Sequence, residues 1–175
     1  KTGEYRYRKD RVRLEGPAWA ALPALAAESG ATTAILLQTL WGIVLARYNR
    51  TSDIVFGGIV SGRPEEVPGV ERMVGLFINA LPVRLRFAAG ANLRAELRRF
   101  QLQAIERRPY EHVPLAEIKE QAPALREIFD HLVVLENYPM EEELRGATSS
   151  TAAKGPRLSD VEGFERTHYD FTLVA

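Results

Sequence analysis

Residues 54–60, Ile-Val-Phe-Gly-Gly-Ile-Val, carry no polar side chain on either alternate set of positions. A strand with one wet face alternates apolar with polar residues, whereas a strand covered on both sides reads as a continuous apolar run. The run therefore predicts a central strand, and the rest of the chain must supply its cover. Gly57 and Gly58 in its middle leave room for close approach by another segment. Further on, Leu81, Val83, Leu85 and Phe87 alternate with Pro82, Arg84 and Arg86, the pattern of a half-buried strand. Pro82 has no amide to donate, which favours a sheet edge or a bulge near the strand's start.

Helical signals lie between and around these strands. Gly16-Pro17 opens a helical stretch that stops near Ser29-Gly30. Pro23 falls inside it and would cost about 3 kcal/mol in a helix interior. That cost largely disappears in a first turn, whose amides have no intrahelical partner, so regular helix is expected to start near Trp19 or Ala20, or to kink there. Thr32 or Thr33 can cap the next helix. Leu36, Leu40 and Val44, with Leu37, Trp41, Leu45 and Tyr48, form a broad apolar stripe at helical spacing and predict core. Asn92 caps a helix through about Arg107, with Leu93, Leu97, Phe100 and Ala104 inward and arginines outward, and Pro109 ends it. A short helix is expected over 114–120. Residues 129–136 read as a buried strand, 166–174 as a last alternating strand, and the polar stretch 141–160 as a long loop. At the start, Tyr5, Tyr7, Val12 and Leu14 alternate with arginines and read as strand-like with one buried face.

Strands and helices interleave without strict alternation. The expected fold class is α/β, of the α+β two-layer kind, with a mixed β-sheet and helices packed mainly on one face. A chain of 175 residues suits one domain with a sizeable core. Formal charge is zero, with 23 basic against 23 acidic residues, so no global field gathers nucleic acid or a membrane surface. The basic cluster over 6–13 is read as a solvated strand and loop. With no cysteine there is no disulfide, thiolate metal site or thiol nucleophile, which fits a reducing cytoplasm. No run reaches the ~18 apolar residues of a membrane span.

The chemistry-bearing residues are few. None of the three histidines, His112, His131 and His168, pairs with another at metal spacing. His131 stands in an apolar strand, where a hydrogen-bonded core histidine is the ordinary reading. No Gly-x-Ser-x-Gly elbow is present, and residues 57–62 lack the Lys-Ser/Thr end of a phosphate loop.

Two segments carry a resemblance. The run Asp53-Ile-Val-Phe-Gly-Gly-Ile-Val-Ser-Gly-Arg63-Pro64 and the run Val74-Gly-Leu-Phe-Ile-Asn-Ala-Leu-Pro-Val-Arg84 resemble the second half of a condensation domain from a nonribosomal peptide synthetase. Residues 34–49 are similar to the family's apolar helix, 101–114 to its helix and following Glu-His-Val-Pro, and 129–139 to its strand ending in Glu-Asn-Tyr-Pro. The resemblance covers roughly residues 10–175. It implies one lobe of a chloramphenicol-acetyltransferase-like pseudodimer, in which two lobes form a V around a tunnel. No His-His-x-x-x-Asp-Gly signature, where the family keeps its catalytic histidine, occurs among these residues. The chain begins at Lys1 without methionine and stops at Ala175 in an apparent strand. It is therefore expected to be the C-terminal lobe, 1–175, without its N-terminal partner and without a final strand and helix.

The resemblance implies no catalytic residue here. It implies a tunnel wall, a floor loop over 61–75 and a lobe interface made by Asp53, Ser61, Gly62, Arg63, Gly75, Asn79 and Asn137. Arg63 is expected to fork its guanidinium to a carboxylate of the other lobe and to point to solvent when that lobe is absent. His112 matches a stretch that is not catalytic in the family. Ala80 stands where many members have threonine. The implied reaction is amide formation between carrier-bound aminoacyl or peptidyl thioesters, with no directly bound cofactor and 4′-phosphopantetheine arriving on the carriers. The implied partners are the upstream and downstream peptidyl carrier domains and the N-terminal lobe. Self-association of the isolated lobe is expected, and neither nucleic acid nor membrane is. An epimerisation domain, a free-standing acyltransferase of the same fold and a degenerate module that recruits a partner protein are the alternatives.

Overall fold

Proline placement divides the first helical stretch. The computed structural model describes residues 7–64, 66–122, 128–135 and 167–175. Helix α1 spans Pro17–Ala20 and α2 spans Leu22–Glu28, with the break at Ala21. That break puts Pro23 in the first turn of α2, where its missing amide leaves no bond unmade. Regular helix thus begins at Pro17 and is interrupted at Ala21, beside the kink expected near Trp19 or Ala20.

Thr32 accepts from the amide of Ile35 at 3.3 Å and caps α3, Thr33–Asn49. Its buried face is Ile35, Leu36, Gln38, Thr39, Gly42 and Leu45. Val44 and Tyr48, expected in the core, are 53% and 88% exposed. The helix is apolar nearly all round, but only one side has α4 and the sheet against it. Helix α4, Leu93–Arg107, is capped by Asn92, whose side chain accepts from the Ala95 amide at 2.9 Å. Leu97 and Phe100 are buried, and Pro109 turns the chain into a 3-10 turn at Arg108–Tyr110. Helix α5 covers Leu115–Glu120.

The strands are β1 (Asp53–Val60), β2 (Asn79–Arg86), β3 (His131–Val134) and β4 (Phe171–Val174). Among the described residues they form one sheet in the order β2-β1-β3-β4. The β1/β2 pair is antiparallel, while β1/β3 and β3/β4 are parallel, so the sheet is mixed as expected. β1 is interior, and β2 with Pro82 lies at an edge. Ile54, Phe56, Val83, Leu85 and Val133 pack with Ala26, Leu36, Leu97 and Phe100 into one core between sheet and helices. Gly57 allows the expected close approach, because a Cβ there would overlap the Phe129 ring.

The amino-terminal alternation does not make a strand. Residues 7–15 are irregular and exposed, with Val12 at 78% and Leu14 at 54% exposure. Among the described residues no strand lies beside this segment, so its alternation has no ladder to join. Tyr5, Arg6, the loop at 141–160 and Arg166 lie outside the described residues.

Candidate functional site

Among the described residues, the segment joining β1 to β2 is an elaborated loop with a 3-10 turn of its own. Gly62 has φ 60, in the left-handed region, and a Cβ there would overlap the carbonyl oxygen of Phe77. Only glycine allows the loop's two ends to touch in this way. Ser61 Oγ accepts from the Arg63 amide at 3.4 Å, a long bond that tightens the turn. Arg63 then reaches across the loop. Its Nη1 donates to the Val70 carbonyl, its Nη2 donates to the Met73 carbonyl at 3.0 Å, and its guanidinium lies 4.3 Å from the Phe77 ring centroid. The 3-10 turn Val70–Arg72 sits inside this brace, with Val70 buried.

Arg63 therefore does not point to solvent, as the sequence led one to expect of this lobe alone. It is turned inward, because two backbone carbonyls and an aromatic face within its own loop satisfy much of a planar fork. The outcome is a held loop with an apolar outer edge. Val74 and Leu76 are 103% and 94% exposed, and Ile78 is 52% exposed. These side chains stand at every second position of a stretch that leads into β2, while Phe77 between them faces Arg63 and Gly75.

Asn79 begins β2 and ties it to a distant turn. Its Nδ2 donates to the carbonyls of Val113 at 2.7 Å and Glu111 at 2.9 Å, and its Oδ1 accepts from the Ala80 amide at 3.0 Å. Both amide hydrogens are thus used by backbone. The turn so held carries His112, whose side chain is exposed. Asp53, at the far end of β1, takes two bonds from Arg84 at 2.8 and 2.6 Å and one from Arg86 at 3.1 Å. The Arg84 hydrogen bond is the largest cause of its carboxyl falling from 3.8 to about 2. Asp53 and Arg63 occupy opposite ends of β1, so Asp53 stands apart from the loop built by Ser61, Gly62, Arg63, Gly75 and Asn79. Asn137 lies outside the described residues.

Two further groups, Glu96 and Arg107, escaped the sequence reading, whereas His131 is hydrogen-bonded as expected. Glu96, for which the sequence offered no reading, is 5% exposed; it accepts from the Ala88 amide at 3.0 Å and from Arg99 Nε at 3.0 Å. Its place in the first turn, next to a loop that must be closed, was the available signal. Among the described residues the buried Arg107 Nε has no hydrogen-bond partner, and desolvation lowers its pKa against the opposing pull of Glu111. His131 bonds Asp130 at 2.5 Å through Nδ1 and sits beside Trp41 and Phe171, which stack at 5.1 Å. Among the described residues no cluster of His, Cys, Asp or Glu could hold a metal ion, and no single helix is long and apolar enough to cross a membrane.

Among the described residues, the fold is thus a mixed four-stranded sheet with helices against it and an elaborated β1–β2 loop. The family model for the condensation domain matches residues 1–175, and the chain belongs to that family. It is 37% identical over 171 residues to tyrocidine synthase 2 of Brevibacillus parabrevis, covering 98% of this chain and 5% of that protein. Against bacitracin synthase 3 of Bacillus licheniformis it is 35% identical over 176 residues, 99% of this chain and 3% of that protein. Against surfactin synthase subunit 3 of Bacillus subtilis (strain 168) it is 37% identical over 155 residues, 89% of this chain and 12% of that protein. The chain thus spans a small part of the length of these relatives. Its fold is similar to that of the condensation domain from monacolin K polyketide synthase MokA, with TM-score 0.60, 19% identity, and 71% of this chain on 30% of that one. It is also similar to the X-domain from teicoplanin biosynthesis, with TM-score 0.57, 26% identity, and 66% of this chain on 26% of that one.

Proposed function

We propose that this chain is the C-terminal lobe of a peptide-bond-forming condensation domain in a nonribosomal peptide synthetase. The larger protein joins two carrier-bound substrates. The amine of the downstream aminoacyl thioester attacks the upstream acyl carbonyl, the carbon–sulfur bond breaks, and the acyl group ends as an amide on the downstream carrier. The amine's proton leaves as the new bond forms, and the upstream sulfur departs as the pantetheine thiol. A thioester is already activated, so the protein's task is mostly alignment of the two arms and help with one proton. Both arms are 4′-phosphopantetheine groups borne by the upstream and downstream carrier domains, and the setting is the cytoplasm.

The observation that carries this reading is the braced loop over 61–78. Arg63 braces it from within, yet Val74, Leu76 and Ile78 are exposed along its outer edge. A loop held in one shape with an apolar edge is suited to packing on further protein. The occupant we propose is the N-terminal lobe of the same domain, with this loop as the floor of the tunnel between them. Asn79 acts by holding the 110–113 turn against that floor, not by touching substrate. No His-His-x-x-x-Asp-Gly run lies within the 175 residues, so the proton-handling histidine is assigned to the other lobe.

The test is product formation by the whole protein with both carriers loaded, read by mass spectrometry of the downstream carrier. Growth of a dipeptidyl mass on that carrier supports the reading. Exchange of the α-hydrogen without any dipeptide would point to epimerisation instead, and neither product would leave a recruiting module. The 175-residue chain alone is expected to give no dipeptide above uncatalysed aminolysis.

A further inference from the structure

Many arginines of the described residues have partners: Arg84 and Arg86 on Asp53, Arg94 on Glu28, Arg99 on Glu96, and Arg63 on its own loop. Arg47 and Arg50 have no ion pair among the described residues, and both stand on the rim of one depression. It lies between the last turns of α3, the turn at Thr51 and Ser52, and residues 87–96, with a volume of about 420 Å³. Its floor is apolar, built from Ile43, Ala46, Phe87 and Leu93. Glu96 reaches the wall, but the Ala88 amide and Arg99 already occupy its carboxylate, so it does not neutralise the rim. The depression shares no residue with the loop over 61–78.

Arg50 adds an independent observation. It follows α3 at φ 52 and ψ 42, and among the described residues it is the one non-glycine with positive φ. That place at a helix end ordinarily holds glycine or asparagine, because a Cβ is strained there. The backbone alone would be better served by glycine. A strained position occupied by a long cation beside an uncommitted second one points to use of the side chain.

We propose that this depression binds a small amphiphilic carboxylate, its apolar body on the Ile43–Phe87 floor and its head between Arg47 and Arg50. The volume lies in the range of small-ligand sites, roughly 300–1,000 Å³. Guanidinium forks match a carboxylate's two oxygens, and the apolar floor rejects a fully hydrated small acid. Both halves of the recognition are needed. Acetate lacks the body and decanol lacks the charge.

Equilibrium dialysis of radiolabelled decanoate against the whole protein tests this, with decanol and acetate alongside. One saturable decanoate site is expected, with each comparison compound about tenfold weaker or worse. Arg47→Gln/Arg50→Gln should lose that site. Arg50→Gly separates binding from folding: it relieves the backbone, so the melting temperature should hold or rise while decanoate affinity falls about fivefold or more. Equal binding of decanol and decanoate, or a site that survives the double substitution, would overturn the proposal. So would a whole protein with no such site because an acidic, apolar protein segment already fills the depression.

Discussion

Arg63 donates from Nη2 to the carbonyl of Met73 at 3.0 Å, closing a loop of its own sequence neighbours. A second bond to Val70 and the Phe77 face complete the brace. Lysine keeps the charge but has neither the fork nor the flat face, so Arg63→Lys should resemble Arg63→Ala more than wild type. Both should cost about 1–3 kcal/mol, since the part-buried Val70 carbonyl loses a charged donor. The loss should show in the 175-residue chain itself, as a lower melting temperature and faster hydrogen exchange over 70–75. An additional loss confined to the whole protein would indicate a carboxylate partner for Arg63 in the other lobe.

Gly62 should be the least replaceable residue of that loop. Gly62→Ala combines positive φ with overlap on the Phe77 carbonyl. Gly69 and Gly90 also have positive φ, but a Cβ at either meets nothing within 4 Å. Alanine at Gly69 or Gly90 should cost about 1–2 kcal/mol from backbone strain alone, and at Gly62 clearly more. Chemical denaturation of the three variants gives the comparison. Equal losses would show that the contact between the loop's ends is dispensable.

Asn79 makes a charge-sensitive test. Asn79→Asp places a carboxylate where two carbonyl oxygens expect donors, and about 1–3 kcal/mol should be lost at neutral pH. Protonation restores one donor, so part of the loss should return on acidification. Thermal melting of the variant against pH checks this, and a loss independent of pH would contradict it.

Asp53 gives a pH dependence of opposite form. Its folded carboxyl is depressed from 3.8 to about 2, first by the Arg84 hydrogen bond. Its contribution is therefore fully present above the unfolded value and is lost as pH falls from about 4 to about 2. The cluster is partly exposed, with 39% of the Asp53 side chain accessible, so screening limits the contribution to about 1 kcal/mol. The gap in melting temperature between wild type and Asp53→Asn should be constant above pH ~5 and close towards pH ~2.

Local signals were the legible part of this fold. The caps at Thr32 and Asn92, the stop at Pro109 and the interior place of β1 in the sheet each follow from residues within one turn or one strand. The Tyr7–Leu14 alternation failed because period two describes a possible strand face, and only a neighbouring strand makes it one. Val44 and Tyr48 failed because an apolar stripe wider than its cover leaves part of itself outside. At the loop, the motif marked the residues, but not their directions. Arg63 turns inward because of carbonyls seven and ten residues along the chain, and Asn79 answers a turn more than thirty residues away. Glu96 was hidden because a charged residue on an amphipathic helix is ordinarily solvated, and the Ala88 amide that draws it in is visible only once the chain has folded.

The outward edge of the loop tests the central claim most directly. Val74→Asp/Leu76→Asp in the whole protein puts two charges where an apolar lobe contact is proposed, while leaving the inner brace untouched. Dipeptidyl-carrier formation should fall by about tenfold or more, as expected when the two halves of a tunnel lose register. The same substitutions in the 175-residue chain should leave its melting temperature nearly unchanged and reduce its self-association in sedimentation, because the edge is already in water there. Dipeptide formation at the wild-type rate by the doubly substituted whole protein would contradict the account.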